Sequence, residues 1–347
     1  MKKLVLISLI VCSGVLAAYS IGFQHTKVVE YDDEQEKLDD QIVIKVSHVT
    51  AENTPKGRAI RYFKNLVELK SNNRIKVEIY SNGSLYSDIN EWEALKTNRV
   101  QMIIPATSKV TPYVPEFAIF DLPFAFNNYH EVQEAFEGNI GKTLKEELEE
   151  KENVKTFSFW YNGFKQFSNS KHPIKNPSDF KKLHFRSMPS ELVKDQFEWL
   201  GASVSFIPFN RIYENLEVGF IDGQENTVSN FQTKKMYQHQ PYLTISNHSY
   251  LGYIVIMNKD FWDELPEDAK EIIEQSMTQT TTWSRLHSIE INDEALRQIK
   301  KNTDVEVVTL LKEERALFKK ALQPLYHQYA EKIGEDLLEE LDVITGK

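Results

Sequence analysis

The feature that most constrains the fold of this chain is a repeated alternation of strand-like and helix-like segments. In the first series, β-rich strand patterns are separated by amphipathic helix patterns: strands at 41–49, 74–80 and 100–105, helices at 55–69 and 89–97. The second series repeats this order: strands at 182–187, 203–207 and 220–224, helices at 189–200 and 210–218. Strands that alternate with helices predict a mostly parallel sheet with helices on both faces.

Two such series predict an α/β fold of two lobes. A further apolar strand at 250–257 and a long helical stretch from 266 to about 301 follow the second series. We assign residues 41–162 plus 251–290 to lobe 1 and residues 163–250 plus 291–347 to lobe 2. The chain then crosses between the lobes near 161–169 and again near 247–253. A cleft crossed more than once by the chain suits hinged closure on a small ligand.

The N-terminal segment has the pattern of an export signal. Lys2 and Lys3 precede an apolar run over 4–18, and an acidic stretch without apolar periodicity follows at 30–40. We predict that residues 1–20 are a signal peptide cleaved after Ser20 or, equally, an uncleaved membrane anchor. Lipidation at Cys12 ranks behind both, because Val11 is branched where a small residue is expected. Residues 21–40 are predicted to be an acidic tether, so the bulk of the protein works outside the cytoplasmic membrane.

Charge and cysteine content exclude several classes of function. The 347 residues include 41 Lys plus Arg and 51 Asp plus Glu, a formal charge of −10. A nucleic-acid partner is therefore not expected, since binding a phosphate backbone requires a surplus of cations. Cys12 is the single cysteine of the sequence. Neither a disulfide framework nor a thiolate metal site is expected in the remainder of the chain.

Signatures of catalysis are missing from the sequence. It contains no GxSxG elbow, no HExxH, no P-loop and no GxGxxG after a strand. The nine histidines are scattered, and the closest grouping, His239 with His248, lacks metal-ligand spacing. We therefore predict a protein that is not an enzyme and that needs no metal or cofactor.

Polar residues cluster at three places where the strand–helix pattern would bring them to the cleft. The first follows a strand and opens a helix at 53–58, where Lys56 and backbone amides would face an anion. The second lies at the lobe crossing, at 162–166. The third combines the ends of two strands, at 184–187 and 222–226. Together these clusters predict a site for an anionic ligand.

These clusters resemble motifs of the extracytoplasmic solute-binding proteins of TRAP transporters, the DctP family. The matching segments, in chain order, are Asn53-Thr54-Pro55-Lys56-Gly57, Phe120-Asp121-Leu122-Pro123-Phe124, Asn162-Gly163-Phe164-Lys165-Gln166, Arg186, Asp222-Gly223-Gln224-Glu225-Asn226 and Tyr250-Leu251-Gly252-Tyr253. The likeness extends over nearly all of the chain after the N-terminal segment. The resemblance implies a two-lobed periplasmic-binding-protein-like fold with long C-terminal helices. The residues of the motifs are most similar to those of the C4-dicarboxylate-binding branch of the family.

The resemblance also implies roles for particular side chains. The family's carboxylate-binding arginine falls on Arg186, whose planar guanidinium can hold a carboxylate through two parallel hydrogen bonds. Asn226 matches the cleft asparagine beside it. Lys165 stands where sialic-acid-binding relatives have Arg, which points to a different ligand with a second anionic end. The further candidates for that second carboxylate are Lys56, His48, Ser108 and Lys109, while Asn162 and Tyr250 would line the cleft.

The function implied is capture of a four-carbon diacid, such as succinate, fumarate or malate, by a monomer. Arg186 and Asn226 would take one carboxylate, and Lys56 with Lys165 would neutralise the other, because buried carboxylates require paired donors. The expected partner is the membrane subunits of a TRAP transporter. Two alternatives stay open: presentation of the ligand to a membrane sensor kinase, and an enzyme acting on a dicarboxylate.

Overall fold

The computed structural model describes residues 41–346. The predicted signal or anchor at 1–20 and the predicted tether at 21–40 lie outside the described residues. None of the helices between residues 41 and 346 combines the length and the apolar character needed to cross a membrane.

The described strands form a single nine-stranded sheet. They are β1 Ile42–Ser47, β2 Ile75–Tyr80, β3 Met102–Ile103, β4 Val154–Asn169, β5 His184–Ser187, β6 Ser203–Phe206, β7 Gly223–Asn226, β8 Tyr242–Asn258 and β9 Glu306–Thr309. The strand order is β2-β1-β3-β8-β4-β7-β5-β6, and β9 pairs with β8. β1 and β3 are parallel, as are β5 with β6, β5 with β7 and β8 with β9. The α/β class predicted from the alternation is confirmed.

Eleven α-helices accompany this sheet within the described residues. They are α1 Pro55–Lys70, α2 Glu91–Lys96, α3 Tyr129–Glu137, α4 Asn139–Glu152, α5 Glu191–Trp199, α6 Ile212–Glu217, α7 Val228–Thr233, α8 Lys259–Glu264, α9 Glu267–Asn302, α10 Lys312–Ile333 and α11 Glu335–Thr345. Short 3-10 turns lie at Thr107–Lys109, Pro115–Asp121, Pro177–Phe180, Phe209–Arg211 and Met236–Gln238. The long C-terminal helices expected from the sequence are α9, with 36 residues, and α10, with 22 residues.

The expectation of a mostly parallel sheet is wrong at its centre. β4 and β8, of 16 and 17 residues, pair antiparallel with each other along nearly their whole length. β7 is also antiparallel to β4, and β3 to β8. The two predicted crossings between lobes, 161–169 and 247–253, therefore lie within these strands. Mixed aromatic, polar and glycine residues hid this continuity, because they break the apolar pattern by which a buried strand is recognised.

The middle of β4 is irregular where it packs against α9. The pairing of β4 with β8 shifts register between Tyr161 and Gly163 and again between Lys165 and Phe167. Asn292 of α9 donates from Nδ2 to the Asn162 carbonyl at 2.7 Å. A Cβ on Gly163 would lie 2.8 Å from that same amide nitrogen, so glycine is required for this close approach. Bulges of this kind bend a strand and redirect its side chains.

Candidate ligand-binding site

The first turn of α1 positions Lys56. Thr54 caps the helix, since its Oγ1 accepts from the Gly57 amide at 3.1 Å, and Pro55 occupies the first helical position. Lys56 is 2% exposed, and its Nζ donates to the Ile104 carbonyl at 2.9 Å. The same Nζ lies 4.1 Å from the centre of the Tyr253 ring. The turn therefore buries an ammonium group beside an aromatic face.

A second lysine enters the same region with a carboxylate partner. Lys109 lies on the 3-10 turn Thr107–Lys109, and its Nζ is 2.6 Å from Oδ2 of Asp88. The Asp88 carboxylate also accepts from the backbone amide of Phe209, at 3.1 and 3.3 Å. Asp88 belongs to the predicted lobe 1 and Phe209 to the predicted lobe 2, so this contact spans the predicted cleft. Burial raises the pKa of Asp88, but Lys109 and Arg186 outweigh it and hold that pKa below its ordinary value.

Arg186 enters the site from β5, which lies between β6 and β7 in the sheet. Its side chain is 1% exposed, and Nε donates to the Ile207 carbonyl at 2.8 Å. Its Nη2 has no hydrogen-bond partner within the described chain. Burial lowers the pKa of Arg186 to about 10, so the group still carries its charge at neutral pH. A buried guanidinium nitrogen without an acceptor is unfavourable until an anion supplies one.

Amide and phenol groups complete the polar lining. Asn226, at the end of β7, accepts at Oδ1 from Nδ2 of Asn230 at 2.7 Å and donates from Nδ2 to Gln224 at 3.1 Å. The second N–H of Asn226 Nδ2 remains available for a ligand. Tyr253 OH accepts from Nδ2 of Asn162 at 2.9 Å. These hydrogen bonds fix the orientation of both lining side chains.

These groups surround a small cavity. Its lining residues are Val49, Thr50, Lys56, Ala106, Lys109, Arg186, Met188, Phe209, Asn226, Asn230, Leu251 and Tyr253. The cavity measures about 20 Å³, which is room for about one water molecule. A four-carbon diacid is several times larger, so the walls must separate to admit it. In the described conformation the cavity is therefore too small for such a ligand.

We use the name cleft cluster for five charged groups: Lys56, Lys109 and Arg186, which line the cavity, and Asp88 and Glu91, which lie outside its lining and interact electrostatically with those cations. Burial lowers the pKa of Lys56 to about 7, with Glu91 opposing that change. Burial also raises the pKa of Glu91 to about 7, and Lys109 and Lys56 oppose it. Glu91 is 3% exposed, and its Oε2 has no hydrogen-bond partner among the described residues. The cluster is therefore incompletely paired.

A second buried group of charges, the Lys165 cluster, consists of Asp121, Lys165, Glu225 and His248. Lys165 Nζ lies 2.7 Å from Glu225 and 3.5 Å from Asp121, and His248 Nε2 lies 2.7 Å from Glu225. Asp121 also accepts from the hydroxyl of Ser108 at 2.5 Å. Burial acts to raise the pKa of Glu225, but Lys165 and His248 outweigh it and hold that pKa at about 2.

The structure divides the nine site residues predicted from sequence into two groups. Arg186, Asn226, Lys56 and Lys109 line the cavity. The other five lie outside its lining: Lys165 and Ser108 in the Lys165 cluster, His48 beside Thr50, Asn162 behind Tyr253, and Tyr250. The ring of Tyr250 packs against those of Tyr129, Phe136 and Phe164.

Several lining residues were missed by sequence reasoning. Tyr253 and Leu251 line the cavity, and Tyr250 does not, although all three belong to one predicted motif. Alternation along β8 is the signal that could have separated them, because side chains two residues apart share a face of the strand. Asn230, which lines the cavity from a short helix, and Asp88, which contacts the lining residue Lys109 from a loop, had no such signal.

A larger cavity of about 610 Å³ between β4 and α9 is lined by five hydroxyl-bearing and four charged residues. Its arginine, Arg285, is already paired to Glu137 at 2.8 Å, and none of its charged side chains is a buried group without a partner. Between residues 41 and 346, no three His, Cys, Asp or Glu side chains are arranged to hold a metal ion. The small cavity at the cleft cluster is therefore the candidate binding site.

Comparison with known proteins identifies relatives along nearly the whole chain. A C4-dicarboxylate-binding protein, DctB, from Bacillus subtilis is 43% identical over 344 residues, which is 98% of each chain. A TRAP periplasmic solute-binding protein from Sulfurospirillum deleyianum, solved with bound succinate, has a TM-score of 0.84 and 35% identity, covering 88% of this chain and 99% of that one. Another from Pseudomonas aeruginosa, with bound L-malate, has a TM-score of 0.80 and 31% identity, covering 83% and 100%.

The family assignment rests on a match of residues 46–332 to the model described as bacterial extracellular solute-binding protein, family 7. That match includes every residue of the cavity lining and confirms the resemblance drawn from the sequence motifs. The two-lobed fold class is confirmed by the same structural neighbours. This chain belongs to the DctP family of TRAP-type extracellular solute-binding proteins.

Proposed function

We propose that this protein captures C4-dicarboxylates such as succinate, fumarate and malate in the cavity at the cleft cluster. The observation that carries the proposal is Arg186, a buried guanidinium whose Nη2 lacks a partner, facing a cavity also lined by Lys56 and Lys109. Relatives whose names specify C4-dicarboxylates, or whose structures hold succinate or L-malate, support this choice of ligand.

One carboxylate of the ligand is bound from the side of β5 and β7. Arg186 offers Nη2, and Asn226 offers its second amide N–H. Hydrogen bonds between a guanidinium and a carboxylate are charge-assisted and can form as a parallel pair. Because Nε is already held by the Ile207 carbonyl, the guanidinium plane is fixed before the ligand arrives. The entropic cost of ordering this side chain is thus largely absent on binding.

The second carboxylate is bound from the side of α1 and the 3-10 turn. Lys56 and Lys109 both line the cavity there. Lys165, which the resemblance favoured for this role, has its ammonium engaged by two buried carboxylates and lies outside the lining. We therefore assign the second carboxylate to Lys56 and Lys109. On the predicted division, Arg186 belongs to lobe 2 and the two lysines to lobe 1, so a bound diacid would hold the lobes together.

Calorimetric titration of succinate against the wild type and Arg186→Ala tests this proposal. We expect a loss of affinity of about 100-fold or more, because an interaction of about 2–5 kcal/mol between buried charges is removed. Arg186→Lys should recover only part of it, since an ammonium cannot form two parallel hydrogen bonds. Arg315→Ala is the matched control, because Arg315 also donates to a backbone carbonyl, that of Ser246 at 2.7 Å, but lies outside the cavity. Equal affinities in wild type and Arg186→Ala would refute the proposal.

We further propose that the protein acts outside the cytoplasmic membrane, releases its ligand unchanged, and delivers it to the membrane subunits of a TRAP transporter. Family membership supports this route. Uptake of labelled succinate into vesicles that contain those subunits should require added binding protein. If added binding protein does not increase succinate uptake but does change the autophosphorylation of a sensor kinase encoded beside it, the protein is a ligand-presenting co-sensor instead.

A further inference from the structure

The two lysines that line the cavity differ in their partners. Lys109 forms an ion pair with Asp88 at 2.6 Å. Lys56 is more deeply buried than Lys109, but no carboxylate of residues 41–346 lies within 4.0 Å of its Nζ, which has one carbonyl acceptor and an aromatic face. An ammonium has three donors, so Lys56 is underpaired in the ligand-free cavity. A buried lysine in that state loses its proton readily.

Charged and titratable groups face Lys56 from each neighbouring element. His48 follows β1, Asp88 lies in the loop before α2, and Glu91 is the first residue of α2. Lys109 lies on the 3-10 turn, and Tyr253 lies on β8. Burial, with Lys56 adding to it, lowers the pKa of His48 to about 3, so His48 is neutral. Lys56 and Glu91 both have a pKa of about 7. Both groups are buried and incompletely hydrogen-bonded, so either can change protonation when a charge is added beside it.

The charge balance of the cavity depends on that proton. When fully ionised, the three cations and two carboxylates of the cleft cluster sum to 3 − 2 = +1. A monoanionic ligand brings the closed cavity to zero. A dianion brings it to −1, and a buried net charge of this kind is unfavourable. One added proton on the Lys56 and Glu91 pair restores neutrality, with Lys56 as an ammonium facing the ligand and Glu91 as a neutral acid.

We propose that the Lys56 and Glu91 pair takes up one proton when a second ligand carboxylate enters the cavity, and that Lys56 thereby selects diacids over monoacids. The inference rests on the proposed function. Because the proton is bound only in the complex with a dianion, preference for the diacid falls as pH rises. The fall is up to about tenfold in relative affinity per pH unit, the slope that uptake of one proton produces.

Calorimetry of the full chain with succinate and with its monoamide, succinamate, tests this inference above pH 7, where succinate is fully ionised. Titrations in phosphate and in Tris, buffers with different ionisation enthalpies, give the number of protons bound with each ligand. We expect close to one proton per succinate and close to none per succinamate. We also expect the ratio of their affinities to fall between pH 7 and pH 8.5.

Two variants test whether Lys56 is needed for the proton uptake. Lys56→Gln should weaken succinate binding and diminish proton uptake, because one of the two titrating groups is removed while Lys109 still acts on Glu91. Asn226→Ala should also weaken binding but retain the proton, because an amide does not titrate. Succinate binding to the wild type without proton uptake, or undiminished uptake in Lys56→Gln, overturns this inference and leaves the proposed function intact. Absence of any succinate binding overturns the proposed function instead.

Discussion

The cleft cluster and the Lys165 cluster are both buried groups of mixed charge, yet their pairing differs. In the Lys165 cluster, Lys165 contacts two carboxylates, and Glu225 contacts both Lys165 and His248. In the cleft cluster, Lys56 lacks an ion pair and Arg186 Nη2 lacks an acceptor within the described chain. Complete pairing is what a structural role requires, and incomplete pairing is what a ligand can complete.

The strongest test of this comparison is Lys165→Met. Removing the cation leaves Asp121 and Glu225 as buried carboxylates without their main partner, so we expect the free energy of unfolding to fall by about 3–5 kcal/mol. Denaturant unfolding measures this loss. The double variant Lys165→Met with Glu225→Gln should recover part of it, because it removes one of the stranded charges. A loss below about 1 kcal/mol in the single variant would show that the cluster is not structurally important.

Arg186→Met is expected to give the opposite pattern. The affinity for succinate should fall by about 100-fold, because the variant removes charge-assisted hydrogen bonds to the ligand. The free energy of unfolding of the ligand-free protein should change by less than about 2 kcal/mol, since Arg186 makes one hydrogen bond to a carbonyl and is otherwise underpaired. Calorimetry and denaturant unfolding on the same preparations separate the two effects. A larger loss of stability than in Lys165→Met would contradict the distinction.

Sequence reasoning located these clusters to different degrees. Arg186 and Lys56 were identified because each lies at the end or start of a regular element, where the strand–helix pattern determines position. Lys165 was assigned to the ligand from the resemblance, because it stands where sialic-acid-binding relatives have Arg, and it lies within β4. Its partners Asp121 and Glu225 are 44 and 60 residues away in the chain. Local patterns do not determine such distant pairing, which depends on the register of β4 with β7.

Lys56→Met is expected to raise the free energy of unfolding, by a smaller amount than the change in Lys165→Met. A base whose pKa is lowered on folding destabilises the folded state fully below the folded pKa, and the effect disappears as pH rises through the unfolded pKa. For Lys56 this window runs from about 7 up to its ordinary value of 10.5. The variant should therefore be more stable than the ligand-free wild type by more than about 1 kcal/mol at pH 6, and the gain should be smaller at pH 9. Denaturant unfolding at both pH values tests this, and a gain that grows with pH would contradict it.

The smallest change in stability is expected for Ser108, which contacts Asp121 of the Lys165 cluster. Ser108→Ala removes one donor to Asp121, which retains Ser190 at 2.9 Å and Lys165 as partners. We expect a loss of about 1 kcal/mol in the free energy of unfolding and an unchanged affinity for succinate. Thr111→Ser is a suitable control, since it keeps the hydroxyl that donates to the Ser108 carbonyl at 2.9 Å. A tenfold loss of succinate affinity in Ser108→Ala would place Ser108 in the ligand site after all.

Because β4 and β8 are long unbroken strands, they affect how the protein unfolds on heating. Each of these strands contributes residues to both predicted lobes, and the chain from Val43 onward clusters as one compact unit. Neither lobe can lose its sheet without breaking the pairing that the other lobe needs. Heating should therefore produce a single cooperative transition in the calorimeter, with equal van't Hoff and calorimetric enthalpies, although the chain is predicted to form two lobes.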